Sequence, residues 1–520
     1  MVSGKKLKNK NSKCKVVLMN PPTAPPSDEI LLNLAYLSSA LKKAGHETLV
    51  LDATAPHNRL TEEDIKKQIL EFKPHFIGVT LIVRYIPQTY DFVKGLLELN
   101  IPIVGGGPHA NCKPEEVLEN GFDIVAIGEG EDTIIELAEY YLGNKKLKEI
   151  DGICFKDKKN KAHYTKPRQL IKDLDRITFP DYEAFPIKYY SGSDDPESNP
   201  IFWSVFSSRG CPFNCIFCAS HNVFGRTFRS RSPQNVYDEI KSLVETYGAK
   251  TFAFQDDEAF INKKRVIEFC NLVKKDYPSL KFSGRLRIDS LDKDMLNAMS
   301  SAGFKRLAFG IESFNNESLL KMNKKYRLKD IEKGFKILEK SHFKAIYFNI
   351  LIGFPWETTE HLKGILKEMS KIPESVIFFS STCTLIPFPC TELYDRYHKE
   401  YGFTDWWLDP KENSPQKTIG SQNTFFMMFM FDQIPLYSDD TFWNHSPEMK
   451  KAIIDFCWKS SSISLKRILS PSEYRFVHRF SRMSHWVWKR SPKLERVLFY
   501  PYKKLAKWLK LDQKVNFINW

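Results

Sequence analysis

Through the first part of the chain, short apolar runs alternate with stretches whose apolar positions recur at helical spacing. The runs KVVLMN (Lys15 to Asn20), ETLVLDAT, HFIGVTLIV, IPIVGGG and DIVAIGEGE read as five strands buried on both faces, where no polar alternation is needed. Each is followed by a helical pattern: LAYLSSALKKAG ending at Gly45, then TEEDIKKQILEF, TYDFVKGLLEL, PEEVLEN and TIIELAEYYLG. The second of these opens on Thr61 with Asp64 three residues later, a helix-start signature. Strict alternation of strand and helix predicts a doubly wound parallel sheet of the Rossmann or flavodoxin-like kind. Such sheets bind ligands beyond the carboxyl ends of their strands. Those ends carry Asn20, Thr80, Gly105, Gly106, Gly107, Gly128, Glu129 and Gly130. Their grouping at successive strand ends favours a ligand site over simple chain reversals.

A stretch rich in charged and turn residues, 151–198, predicts a linker with a small hairpin. Alternation then resumes with the strands IFWSVFSSRG, TFAFQDD, KFSGRLRID, RLAFGIES, AIYFNILIGFP and VIFFSSTCTLIPFP, separated by helical patterns. Six strands of this kind predict a partial or full β/α barrel over 199–395. After Asp395 the alternation stops, leaving a mainly helical C-terminal region over 396–520. The expected organisation is a sheet domain over 1–150, the linker, the barrel and this last region, in keeping with a length of 520 residues.

Hydrophobic residues make up 42% and charged residues 27%, as in ordinary globular proteins. The longest apolar candidate, FFMMFMF from Phe425 to Phe431, falls far short of the ~18 residues a membrane span needs. The opening MVSGKKLKNKNSKCK is basic and polar with no apolar segment behind it, so a cytoplasmic, reducing environment is expected. Net charge is +14, and seventeen Lys and Arg against four acids place +13 of it from Lys450 onward. There Trp486, Trp488, Trp508 and Leu509 interleave with Arg479, Lys489, Lys503, Lys507 and Lys510. Such a pattern suits the headgroup region of an anionic membrane. A helical cap with a solvated basic face has the same composition. Single-stranded nucleic acid fits less well, since no nucleic-acid module is recognisable.

Three of the ten cysteines fall within eight residues, in SSRGCPFNCIFCAS, where Cys211, Cys215 and Cys218 follow the first barrel strand. A disulfide knot, a zinc site and an iron–sulfur cluster are the candidate explanations. A reducing compartment disfavours disulfides. Zinc takes four ligands, commonly as two CxxC pairs, and no second pair exists; Cys383 and Cys390 are too widely spaced. Three thiolates on one loop suit three irons of a 4Fe–4S cluster, leaving the fourth to a small molecule, with Phe213 and Phe217 as shields. Cys14, Cys112, Cys154, Cys270 and Cys457 lack ligand spacing and read as free thiols. Cys383 and Cys390 lie toward the working end of the barrel, where a substrate or second-cluster role is open.

CxxxCxxC in the first βα loop of a barrel resembles the radical S-adenosylmethionine (SAM) superfamily. The resemblance runs from about Asn199 to Asp395 through FQDDEAF, GRLRID, FGIES, ILIGFPWET and LIPFPCTELYD, in that order. It implies that the open iron binds the amino and carboxyl groups of SAM, and that an electron from the cluster releases a 5′-deoxyadenosyl radical. It also implies SAM contacts at Asp256, Asp257 and Glu258, at Arg285 or Arg287, at Gly310, Glu312 and Ser313, and at Gly353 and Pro355 behind the adenine. Cys390 stands where glycine is usual in the last of these marks.

A sheet domain ahead of such a barrel is similar to the cobalamin-binding class of that superfamily. GGGPH through GEGE (Gly105 to Glu131), IDGICF and ITFPDY carry the resemblance. It implies cobalamin between sheet and barrel, against Asn20, Thr80, Gly105, Gly106, Gly107, His109, Gly128, Glu129 and Gly130. The pattern Asp-x-His-x-x-Gly is absent, with NPPTAPPSDE in its place, so no histidine is offered as lower ligand; His46 and His75 read as structural. The expected activity is C-methylation of an unactivated carbon on an apolar or lipid-like substrate, with ferredoxin or flavodoxin as reductant and peripheral membrane contact through the tail. Oxidative cyclisation or carbon–carbon joining without methyl transfer is the alternative chemistry. A non-catalytic sensor using cluster and cobalamin is the alternative outside catalysis.

Overall fold

In the computed structural model the described residues are 13–23, 30–55, 59–187, 190, 203–343, 345–408 and 446–468, with a few positions between 470 and 479. The FFMMFMF run and most of the basic aromatic tail lie outside them. Strands β1 (Lys15–Asn20), β2 (Glu47–Asp52), β3 (Phe76–Thr80), β4 (Ile103–Gly106) and β5 (Ile124–Ala126) are parallel, in the order β2-β1-β3-β4-β5. Their crossovers run through α1 (Leu32–Lys43), α2 (Glu62–Phe72), α3 (Ile86–Leu96), α4 (Pro108–Cys112) and α5 (Pro114–Glu119), and α6 (Glu131–Tyr141) follows β5. The strand order changes direction at β1, so right-handed crossovers place helices on both faces. That double cover is why β3 is buried at every residue and reads as an unbroken apolar run. Thr61 starts α2 as a capping box: its Oγ1 accepts from the Asp64 N–H, and Asp64 Oδ2 accepts from the Thr61 N–H. The gap between β1 and β3 is the switch point where such sheets take ligands. The hairpin expected in the linker is β6 (Ile153–Lys156) and β7 (Ala162–Tyr164), and it extends this sheet antiparallel to β5.

The second sheet begins with β8 (Trp203–Val205), which leads into a two-stranded ribbon, β9 (Ser208–Arg209) and β10 (Arg229–Ser230). It continues with β11 (Thr251–Phe254), β12 (Lys281–Leu286), β13 (Phe304–Glu312), β14 (Ala345–Ile352) and β15 (Ile377–Thr384). β8 and these five strands are parallel and lie side by side in sequence order. With right-handed crossovers, sequential order puts every connecting helix on one face and leaves the other face and the strand ends open, giving a partial barrel. A four-residue helix, α7 (His221–Phe224), follows the cysteine loop, and the longer α8 (Pro233–Tyr247) opens on Ser232 Oγ accepting from the Asn235 N–H.

A stack of phenylalanines packs the sheet against its helices, with Phe252 to Phe282 at 5.5 Å and Phe282 to Phe304 at 5.2 Å between ring centroids, and Phe282 to Phe269 of the helix Lys263–Asp276 at 5.9 Å. Each such burial is worth about 1.5–3 kcal/mol. The same cluster takes in Leu18, Ala35 and Leu137, so the two sheets share a core. The helix Pro447–Ile468 packs along β15. Its Arg467 donates to the carbonyls of Ile372 (2.7 Å) and Val376 (3.1 Å), under a guanidinium–Phe378 contact of 4.8 Å. No helix among the described residues is long and apolar enough to cross a membrane.

Candidate active site

The cysteine loop leaves the ribbon at Arg209 and turns on Gly210 with a φ of 78°. A Cβ at that position would lie 2.5 Å from Thr227 O, so the turn admits only glycine. Cys211, Cys215 and Cys218 are free thiols, half-buried, on the stretch before α7. Backbone and side-chain bonds clamp the loop from outside it. The Ile216 N–H donates to Met322 O (3.1 Å), the Leu393 N–H to Ile216 O (2.9 Å) and Asn323 Nδ2 to Asn214 O (2.7 Å). Phe213 lies under the Arg287 guanidinium at 3.6 Å. That guanidinium is itself fixed by two bonds to Asp289 (3.0 Å each) and one to Lys324 O (2.8 Å).

The acidic strand ends divide by what they touch. Asp256 is buried and accepts from the Ser207 N–H (3.0 Å), Ser207 Oγ (2.9 Å) and Ser208 Oγ, tying the end of the first barrel strand to the second. Asp257 opens to the cleft; the protein around it and the neighbouring Asp256 push its carboxyl up to about 6, against the pull of Arg285. Glu258 is buried with Oε1 unpaired, and burial pushes it up to about 8. Arg285 is exposed, whereas Arg287 is committed to Asp289. Glu312 takes a φ of 66° and accepts from Lys324 Nζ at 3.4 Å, both groups being buried. A Cβ on Gly310 would lie 2.6 Å from Glu312 Oε1, so the glycine makes room for that carboxylate. Ser313 Oγ accepts from the Asn315 N–H, and the Gly353 N–H is taken by Glu357 Oε2 at 2.6 Å, with Pro355 half-buried beyond it.

A cavity of about 520 Å³ lies at the carboxyl ends of β1, β3, β4 and β5 and reaches the barrel. Thr80, Gly105, Gly106, Gly107, Gly128, Glu129 and Gly130 line it from the first sheet; Ser204, Phe206, Arg209, Phe224 and Gln255 line it from the second. A Cβ on Gly106 or Gly128 would meet nothing within 4 Å, so bare backbone forms part of its floor. Asn20 and His109 do not line it. Asn20 Nδ2 instead donates to Asp52 Oδ1 (3.1 Å) and Thr54 Oγ1 (2.9 Å). His109 is buried, with Nε2 2.9 Å from Glu116 Oε1 and its ring edge-on to Trp407. His46 and His75 each accept a backbone N–H at the start of β1, from Cys14 and Lys15.

Glu129 has a further role. Arg209 Nη1 donates to its Oε1 (2.9 Å), Arg229 Nη1 to its Oε2 (2.9 Å) and the Ile171 N–H to its Oε2 (2.7 Å). Arg209 also pairs with Glu131. All four side chains are buried, and burial, which would discharge Arg209, is outweighed by the two glutamates. The strand that delivers Cys211 is therefore docked onto the first domain through a buried ion network.

Residues 205–369 match the radical SAM superfamily and residues 24–138 match the B12 binding domain. An uncharacterised methyltransferase of Pyrococcus horikoshii is 31% identical over 391 residues, 73% of this chain and 82% of the relative. The chain belongs to the radical SAM superfamily. The anaerobic magnesium-protoporphyrin IX monomethyl ester cyclase of Cereibacter sphaeroides is 29% identical over 461 residues, 84% of this chain and 70% of its own. The fold matches that of the radical SAM methyltransferase TsrM from Kitasatospora setae, solved with cobalamin and a 4Fe–4S cluster, with a TM-score of 0.61 at 19% identity and 75% of each chain covered. This radical SAM enzyme thus carries a B12 binding domain, and its cofactors are a 4Fe–4S cluster, SAM and cobalamin.

The residues present fit those groups. Among the described residues no three His, Cys, Asp or Glu side chains gather around one point as ligands of a single ion. Cys211, Cys215 and Cys218 are free, half-buried thiols on one clamped loop, and a cubane with three protein ligands takes one thiolate per iron. The unpaired Glu258 Oε1 is a buried acceptor suited to an ammonium group. The bare-backbone floor at Gly106 and Gly128 suits a broad flat ring, and among the described residues no histidine lines the cavity. Lys324 is not legible in the sequence: it sits in the polar run KMNKKYR, yet it is buried beside Glu312.

Glu357 provides a pH-dependent test of this radical SAM enzyme. Burial raises its carboxyl from 4.5 to about 7 despite the N–H groups of Phe354 and Gly353. Between those values the folded chain holds a proton that the unfolded chain has released, so stability falls as pH rises through the window. Glu357→Gln, neutral throughout, is expected to exceed the wild type by about 3 kcal/mol near pH 8, the gap closing toward about pH 5, in urea unfolding.

Proposed function

We propose that this enzyme methylates an unactivated carbon of an apolar substrate after a 5′-deoxyadenosyl radical has removed hydrogen from it. When bound, the cluster and SAM supply that radical and cobalamin supplies the methyl group. In this reading Cys211, Cys215 and Cys218 hold the cluster, with the clamp on Phe213, Asn214 and Ile216 keeping the three thiols in place. Glu258 accepts the SAM ammonium, Arg285 meets its carboxylate from the open cleft, and Glu312, held by Lys324, lies beside them. Gly353 and Pro355 back the adenine. The observation that carries the reading is the cavity shared by the two sheets: its walls are largely Leu, Ile, Val and Phe side chains, and Phe206, Arg209 and Phe224 flank the cysteine loop. Its first-sheet side meets the cofactor ring, while Phe206 and Phe224 at the cysteine-loop end exclude water, which protects a carbon radical and favours an apolar substrate. A small-molecule substrate and an external reductant, ferredoxin or flavodoxin, complete the reaction, and the basic tail brings the enzyme to a membrane surface.

The cyclase relative favours a second reading, radical chemistry without methyl transfer. The two separate by product. Anaerobic enzyme with cobalamin, SAM, reductant and a lipid extract is expected to release S-adenosylhomocysteine and 5′-deoxyadenosine in step; deoxyadenosine alone gives the reaction to cyclisation. Arg285→Ala is expected to weaken SAM binding about 10- to 100-fold, the worth of one charge-assisted hydrogen bond, with iron content unchanged. Unaltered SAM affinity by equilibrium dialysis removes Arg285 from the site.

A further inference from the structure

Two cysteines that the reaction does not use meet at the junction between the domains. Cys112 ends α4 of the first domain, and Cys390 lies in the loop after β15. Each thiol is turned to the other's stretch of backbone: Cys390 Sγ donates to Cys112 O at 3.5 Å, and Cys112 Sγ donates to the carbonyl of Pro389, the residue before Cys390, at 3.6 Å. Asn222 of α7 spans the pair, with Nδ2 3.3 Å from Cys112 Sγ and 3.4 Å from Pro389 O. Cys390 is exposed and Cys112 half-buried. Cys390 also takes a φ of 58°, in the left-handed region that favours glycine, so a side chain is kept there at a conformational cost. The other described thiols outside the cluster loop, Cys14, Cys154 and Cys270, are buried.

We infer that Cys112 and Cys390 are a redox-active dithiol that closes to an interdomain disulfide by exchange with a low-molecular-weight disulfide. The roles are asymmetric. Cys390 is held below its ordinary value by the neighbouring Cys112 thiol and by the nearby Lys113 charge, while Cys112 is pushed up by the Cys390 thiol and by burial. Lys113 is anchored beside the pair by Asp405 (3.3 Å) and the Trp407 ring (4.6 Å). The Cys390 thiolate attacks one sulfur of the small disulfide and expels a thiolate. The Cys112 sulfur then attacks the Cys390 sulfur of the mixed disulfide and expels the second. The two protons of the cysteines leave with the two small thiols, so the protein loses two electrons and the small disulfide gains them. The bond would tie α4 to the last barrel loop. Asn111 of α4 lines the cavity and accepts from the Gly128 N–H, so one wall of the cofactor cavity would be stapled to the barrel.

Oxidised glutathione added to the anaerobic holoenzyme, followed by alkylation of free thiols, proteolysis and mass spectrometry without reductant, tests this directly. The expected product is a cross-linked peptide pair containing Cys112 and Cys390, reversed by dithiothreitol, with the iron per chain unchanged. Cys112→Ser should stop at a glutathione adduct on Cys390, and Cys390→Ser should yield neither adduct nor cross-link. The proposal is overturned if Cys112 stays as alkylatable as in untreated protein, or if Cys390 pairs with Cys211, Cys215 or Cys218. Since the wild-type map decides between these outcomes, a poorly folding variant leaves the result intact.

Discussion

Cys215→Ala is expected to yield a folded protein that holds little iron and releases 5′-deoxyadenosine only at the no-enzyme background. The loop should keep its place without the thiol, because its clamps are elsewhere: Met322 O and Leu393 N–H on Ile216, Asn323 on Asn214, and Arg287 on Phe213. What is lost is a thiolate site inside the field of Lys324 and Arg287, both of which favour the charged sulfur at Cys215 against its burial. Two remaining thiols leave two irons of the cubane without protein ligands. Iron analysis with a near-wild-type circular dichroism spectrum checks both halves. Wild-type iron content in this variant would remove Cys215 from the cluster.

Glu129→Gln is the second large effect, and it falls on stability. The substitution removes the charge and one of the two acceptor oxygens, leaving Arg229 no carboxylate beside the carbonyls of Ile171 and Phe224, and Arg209 only that of Glu131. Removing one partner from a buried charge network costs about 3–5 kcal/mol. For domains of this size that is a fall on the order of 10 °C in Tm. The exposed pair Arg176–Asp132, 2.6 Å apart, is the matched control, and Asp132→Asn should cost less than about 1 kcal/mol. Equal shifts for the two variants would mean that the Glu129 network contributes no more than a surface pair.

The alternation of strands and helices is legible because parallel strands covered on both faces are apolar at nearly every position, as β3 is. Strand order is not, since nothing in local periodicity distinguishes the reversing order of the first sheet from the sequential order of the second. The cavity collects Thr80 and the two glycine groups because strand ends are fixed by the fold. Side chains whose partners are distant are harder to place. Glu129 reads as a cofactor contact, but its arginines lie 80 and 100 residues further on. Asn20 and His109 stand at strand ends yet turn to Asp52 and Glu116. In the sequence Arg285 and Arg287 are equals, and the bonds of Arg287 to Asp289 and to Lys324 O separate them.

The docking of Arg209 also bears on the order in which the molecule assembles. The first domain leaves the ribosome ahead of the barrel, so its two glutamates can be in position when the arginine two residues before Cys211 emerges. A fragment beginning near Asn199 would meet no such socket, and its cysteine loop would have to find its shape unaided. Supplying the N-terminal domain as a separate chain should then restore iron uptake to that fragment, making the first domain an intramolecular chaperone for the second.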